Sequence, residues 1–248
     1  YGLAAQNFYI EQLQKAARGE AYEWAYSLSD LADDCVAVLD HLEIKQAHLI
    51  GTSLGGVIAQ IVATQHPERV QTLTVMSAAA RLSHWYGQAM AARPFFFWRL
   101  YSFAPANRSM DLNAFLKNRL RVARFYGAGR HQLQLLAEGL KADFERNGSD
   151  WMGLGTLRQT LAFAHFDWMS LESHLAALST LQIPSLVMHG KHDPIVPFQA
   201  GEELASLIPG CKLQGFEGGH NLPENVFDTI LDGIVAHLQS KSCVSLTM

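Results

Sequence analysis

At 248 residues with almost half of them apolar, the chain can bury a large core and is not a disordered or low-complexity polypeptide. Its formal charge of −4 argues against nucleic acid or an anionic membrane as partner, and no apolar run reaches the 18 or so residues of a transmembrane helix. The three cysteines, Cys35, Cys211 and Cys243, lack metal-ligand spacing. Cys35 falls on an apolar helical face, so a buried free thiol is expected there, in a reducing and therefore cytoplasmic setting.

The chain starts at Tyr1 and shows no signal-peptide pattern. Residues 1–26 read as a helix, with Phe8, Ile10, Leu13, Ala16 and Ala17 on one side, followed by a loop without any β-run. Ser27-Leu28-Ser29-Asp30 is a helix-start signal. After it, Leu31, Cys35, Val38, Leu39 and Leu42 recur at helical spacing, giving an amphipathic helix expected to pack on a sheet.

A short apolar run, His48-Leu49-Ile50, then stops at Gly51-Thr52-Ser53-Leu54-Gly55-Gly56, and a helical pattern resumes with Val57, Ile58, Ile61 and Val62. This is strand, sharp turn and helix with a serine at the apex, the G-x-S-x-G elbow. Strain at the apex lifts the hydroxyl clear of the sheet. Gly51 and Gly55 are expected to avoid a Cβ collision across the turn. The helix that opens after Ser53 aims free amides and its positive dipole end at the hydroxyl.

His66-Pro67-Glu68-Arg69 ends that helix, and Leu73-Thr74-Val75-Met76 is the next strand, so the unit is βαβ and the sheet parallel. The alternation pauses over 81–175. That segment is rich in aromatics and has helical stretches such as Leu116–Phe125 and Gln132–Phe144. It reads as a helical insertion lying over the C-terminal edge of the sheet, where ligands of such sheets bind. Trp98 and Phe166 are its candidates for the wall of a substrate pocket. The pattern returns with a buried strand at Ile183–Met188, a helix over 198–207, a strand at Lys212–Phe216 and a last helix over 224–238 carrying Val226, Ile230, Leu231, Ile234 and Leu238. The expected organisation is an α/β core of residues 1–80 and 176–240, an insertion of residues 81–175, and a polar tail of residues 241–248.

A serine hydroxyl needs a base to take its proton, and the base needs an acid to hold its tautomer. Asp193 lies in Gly190-Lys191-His192-Asp193-Pro194, directly after a buried strand, and His220 lies in Gly218-Gly219-His220-Asn221, after the weaker strand around Lys212–Phe216. All three residues therefore sit beyond strand C-termini, in the order Ser, Asp, His. His192 reads as a solvated neighbour. The other histidines make no H-E-x-x-H pattern, and there is no phosphate loop or dinucleotide fingerprint, so neither metal nor cofactor is implied.

With Tyr26–Asp34, Gly51–Gly56, His192–Pro197 and Gly219–Pro223 side by side, the chain resembles the α/β-hydrolase superfamily from about Tyr26 to the last helix. Within it, the chain resembles bacterial serine esterases akin to the aclacinomycin methylesterases. The resemblance implies a mostly parallel sheet flanked by helices, with a helical lid. Ser53 would be the nucleophile, His220 base and then acid, Asp193 the orienting carboxylate, and the Leu54 N–H one oxyanion donor. The partner would be a small-molecule ester with an apolar part. Other chemistry of the same triad (carbon–carbon bond hydrolysis, perhydrolysis, acyl transfer) and a triad-retaining receptor remain alternatives. The family carries strands and an oxyanion loop, often His-Gly, before the elbow strand. Residues 1–46 contain nothing like them, so the N-terminal strands are expected to be missing and the second oxyanion donor is unassigned.

Overall fold

A computed structural model of the chain describes residues 7–9, 11–12, 14–15, 18–92, 111–125, 130–147, 158–159, 161–162, 165–166, 170–221 and 224–239. The chain divides into two compact units. One comprises Tyr1–Tyr26 with Met90–His165, the other Ser27–Ala89 with Phe166–Met248.

The second unit opens with helix α1 (Leu28–His41), which starts where the sequence predicts. The Ser27 hydroxyl accepts from Asp30 N at 3.1 Å, and the Asp30 carboxylate accepts from Ser27 N at 2.7 Å. This reciprocal capping box satisfies two amides that the helix itself cannot. Strand β1 (Ala47–Thr52) leads into helix α2 (Leu54–Gln65) and then strand β2 (Val70–Met76). Helix α3 (Leu82–Ala92) follows, and from Met90 on its residues belong to the first unit.

In the first unit, residues 7–9, 11–12 and 14–15 are helical. Helices α4 (Leu112–Phe125) and α5 (Arg130–Asn147) span the two helical stretches expected there. They pack on each other through Phe115, which is buried, and Phe144, with ring centres 5.2 Å apart.

Back in the second unit come α6 (Leu171–Ser179), β3 (Ser185–Gly190), α7 (Phe198–Leu207), β4 (Lys212–Phe216) and α8 (Phe227–Gln239). Among the described residues four strands form one parallel sheet, in the order β1-β2-β3-β4. Val75 pairs with Gly51 on one side and Val187 on the other, and Val187 pairs in turn with Leu213. The inner strands β2 and β3 are buried along nearly their whole length, as strands covered on both faces are, and they bury the polar side chains of Thr72, Thr74, Ser185 and His189 along with the apolar ones. Side chains alternate between the faces of β3. Leu186 and Met188 join Met76, Phe216, Val226 and Ile230 beneath α8, whereas His189 points to α7, whose Gly201 lies against its ring. Each large aliphatic side chain so buried contributes roughly 1.5–3 kcal/mol.

Three expectations about faces are corrected. The buried stripe of α1 is Leu28, Ala32 and Val36, while Val38 and Leu42 are each 57% exposed. Two adjacent stripes of this helix are apolar, and α2 packs on the first. Cys35, on the second stripe, is consequently exposed and free, not buried. On α8, Leu231 is exposed for the same reason, since Ile230 takes the sheet side. Trp98 and the tail 241–248 lie outside the described residues.

Candidate active site

The site begins with the turn between β1 and α2. Ser53 has φ 54° and ψ −123°, a left-handed backbone that a non-glycine residue adopts at a cost of order 1–3 kcal/mol. Its amide donates to Met76 O at 2.9 Å, and its carbonyl accepts from Gly56 N and Val57 N, so both neighbours of the turn hold it in that shape. Gly51 is obligatory: a Cβ there would sit 2.2 Å from Gly55 O. The second close approach is at Gly56, where a Cβ would meet the Ala78 Cβ at 2.8 Å. Gly55 itself has open space within 4 Å, so the expected collision at that position is corrected. Leu54, expected to donate to an oxyanion, heads α2, and the first amides of a helix have no intrahelical acceptor.

Asp193 and His220 sit on the loops after β3 and β4. Asp193 is 3% exposed. Its Oδ1 accepts from Ile195 N at 2.8 Å and Val196 N at 2.9 Å, wrapping the loop around the carboxylate. Its Oδ2 faces His220 Nδ1 at 2.8 Å, and His220 Nε2 lies 3.1 Å from Ser53 Oγ. A carboxylate only accepts, so Nδ1 carries the proton, and in that tautomer Nε2 is left as the acceptor turned to the serine. The three residues expected from sequence are thus joined in one hydrogen-bonded series, across 167 residues of chain.

The two loops are zipped together by backbone contacts. Lys191 N donates to Phe216 O at 3.0 Å and His192 N to Gly218 O at 2.9 Å. At Gly190 a Cβ would come within 2.3 Å of Gly219 O, one residue before His220. His192 is largely exposed and, with Lys191, pairs with Glu217, whose carboxyl those hydrogen bonds hold below its ordinary range. Sequence reasoning missed Gly190 and His189. The available signal was a glycine and a histidine closing an otherwise apolar strand ahead of the Asp193 loop.

Phe166 is 5% exposed and meets the edge of the His174 ring, 5.2 Å between centres. His174 in turn lies 3.4 Å from Gln60 of α2. Among the described residues no cluster of His, Cys, Asp and Glu is arranged to hold a metal, and no helix is long and apolar enough to cross a membrane.

Residues 16–225 match the model of the alpha/beta hydrolase fold family. The chain is 32% identical over 203 residues to 2-hydroxymuconate semialdehyde hydrolase of Pseudomonas sp. strain CF600, a match covering 79% of this chain and 62% of that protein. It is 29% identical to rhodomycin D methylesterase of Streptomyces sp. strain C5, over 96% of this chain and 83% of that one. The chain therefore spans under two thirds of the first relative and more of the second. Among solved structures it is similar to the enol-lactonase of Burkholderia xenovorans LB400, with a TM-score of 0.58 at 21% identity over 89% of this chain and 76% of that one. At that identity the likeness speaks for the fold alone. The family match runs through the elbow, the Asp193 loop and the His220 loop, and by it this chain belongs to the alpha/beta hydrolase family.

Proposed function

We propose that the protein is a serine-dependent carboxylic-ester hydrolase acting on small to medium esters with an apolar part. The observation that carries the reading is the series from Asp193 Oδ2 through His220 to Ser53 Oγ, at 2.8 and 3.1 Å. His220 Nε2 takes the hydroxyl proton as Ser53 Oγ attacks the ester carbonyl carbon. The Leu54 N–H donates to the oxyanion of the tetrahedral adduct. His220 then returns the proton to the leaving alkoxide, and an acyl-serine remains. Water, activated by the same imidazole, releases the acid and restores the serine. Asp193 holds the ring in its tautomer and stabilises the imidazolium without taking the proton. The free thiols of Cys35 and Cys211 suit a reducing compartment such as the cytoplasm. A second reading draws on the first relative, a 2-hydroxymuconate semialdehyde hydrolase: the same residues would carry out carbon–carbon bond hydrolysis on that semialdehyde.

The test compares aryl acetate and butyrate turnover with consumption of 2-hydroxymuconate semialdehyde. Ser53→Ala and His220→Ala should each lower kcat on the order of 10⁴–10⁶-fold, and the double variant little further, because the residues act as a unit. Asp193→Asn should fold normally and lose activity through the wrong tautomer. A fluorophosphonate should label wild type and spare Ser53→Ala. Labelling of that variant at another serine would refute the assignment, and semialdehyde turnover without ester turnover would favour the second reading.

A further inference from the structure

Beyond the three residues in series, one fully buried histidine lies against the same carboxylate. His189 is the penultimate residue of β3, with 0% exposure. Its Nε2 is 2.9 Å from Val196 O and 3.7 Å from Asp193 Oδ2. Because a carbonyl only accepts, Nε2 carries the proton and donates to Val196. The separation from Oδ2 is too long for a hydrogen bond. Nδ1, the other ring nitrogen, has no hydrogen-bond partner among the described residues. It faces the bare Cα of Gly201, where a Cβ would stand 2.6 Å away. The edge-on ring of Phe198, 6.0 Å between centres, packs from the same helix.

These contacts close a small circuit. Val196 N donates to Asp193 Oδ1, and Val196 O accepts from His189, so one peptide segment is held at both polar ends. Among the described residues, this leaves Oδ2 to hydrogen-bond with His220. We propose that His189 is a positioning residue for the orienting carboxylate: as a donor to Val196 O it fixes the 193–196 loop so that Asp193 Oδ2 is aimed at His220 Nδ1. The proposal rests on the serine-hydrolase reading for its effect on rate, but its geometry is independent of that reading.

Neutrality matters as much as shape. Burial pushes the ring's proton affinity down, which disfavours a second cation beside Asp193. An arginine could not take this role, since it would bring a permanent charge against the carboxylate. A leucine would fill much of the space and leave the Val196 carbonyl, on a residue 1% exposed, without its donor.

The experiment uses the full chain with His189→Leu and His189→Gln, whose amide N–H reaches toward the position of Nε2. Two readouts are taken: steady-state ester kinetics, and the downfield proton resonance of the His220 Nδ1–H bonded to Asp193, identified by its loss in Asp193→Asn. His189→Leu should lower kcat by about 10- to 100-fold, in line with what a misplacement of order 1 Å costs. KM should stay within about twofold. The resonance should shift or broaden. His189→Gln should recover most of both. Where wild type turns over no ester, the hydrolase reading fails, while a resonance moved by Leu and kept by Gln still sustains the positioning role. Equal kcat and an unmoved resonance in His189→Leu, or equal loss in both variants, overturns it. Should His189→Leu not fold, His189→Asn takes its place, its shorter amide falling short of Val196 O.

Discussion

Gly190 gives the sharpest test of how the two site loops are held. A methyl group built there meets Gly219 O at 2.3 Å, Gly218 O at 2.7 Å and the Gly219 carbonyl carbon at 3.0 Å. All three are backbone atoms, so no side chain can rotate away. Ordinary contact begins near 3.4 Å, and the 218–219 peptide must therefore retreat by about 1 Å in Gly190→Ala. Its neighbour His220 moves with it. The Nδ1 to Asp193 and Nε2 to Ser53 contacts, now 2.8 and 3.1 Å, cannot both survive such a shift. A loss in kcat of about 10²-fold follows from a 1 Å misplacement, with destabilisation of roughly 1–3 kcal/mol from the overpacked contact. Aryl-ester kinetics, the rate of fluorophosphonate labelling and urea melts on wild type and Gly190→Ala measure all three quantities. A folded variant with wild-type kcat, labelling rate and urea midpoint would show that the loop spacing does not govern the site, and the reasoning would be refuted.

The elbow glycines should behave unlike one another. Gly51→Ala drives a Cβ into Gly55 O at 2.2 Å and should unfold the turn and abolish labelling, whereas Gly55→Ala meets nothing within 4 Å and should raise stability by up to about 1 kcal/mol through helix propensity. Equal melting midpoints for the two variants would contradict this. A second outcome concerns acid. Burial lowers the His174 pKa to about 4, so the unfolded chain takes up this proton near pH 6.5 and the folded one does not. Stability present above pH 6.5 is lost progressively as pH falls toward 4, by about 3 kcal/mol from this group. Urea midpoints between pH 7 and 4 should drop more steeply in wild type than in His174→Gln, and parallel profiles would assign the acid sensitivity elsewhere.

Several features of this protein were legible in the residues because they depend on short stretches of chain. The capping box of Ser27 and Asp30 involves residues three apart, and the helix that it starts begins at Leu28 as expected. The helix Phe198–Leu207 and strand Lys212–Phe216 follow the local periodicity and have the expected bounds. The order of Ser53, Asp193 and His220, each beyond the C-terminal end of a strand, follows from the same reasoning: parallel strands bring those ends to one edge. Other features were decided only when distant segments met. Which of two apolar stripes α1 buries depended on where α2 lies, and so Cys35 is exposed while Val36 is not. Gly55 is free and Gly56 is crowded because Ala78, 22 residues on, comes against one and not the other. Nothing local to Met188-His189-Gly190 shows that its histidine will hold the Val196 carbonyl or that its glycine will admit the Gly218-Gly219 backbone. Periodicity and turn chemistry are short-range properties of the backbone. Packing partners are set by the whole chain at once, and only the tertiary structure names them.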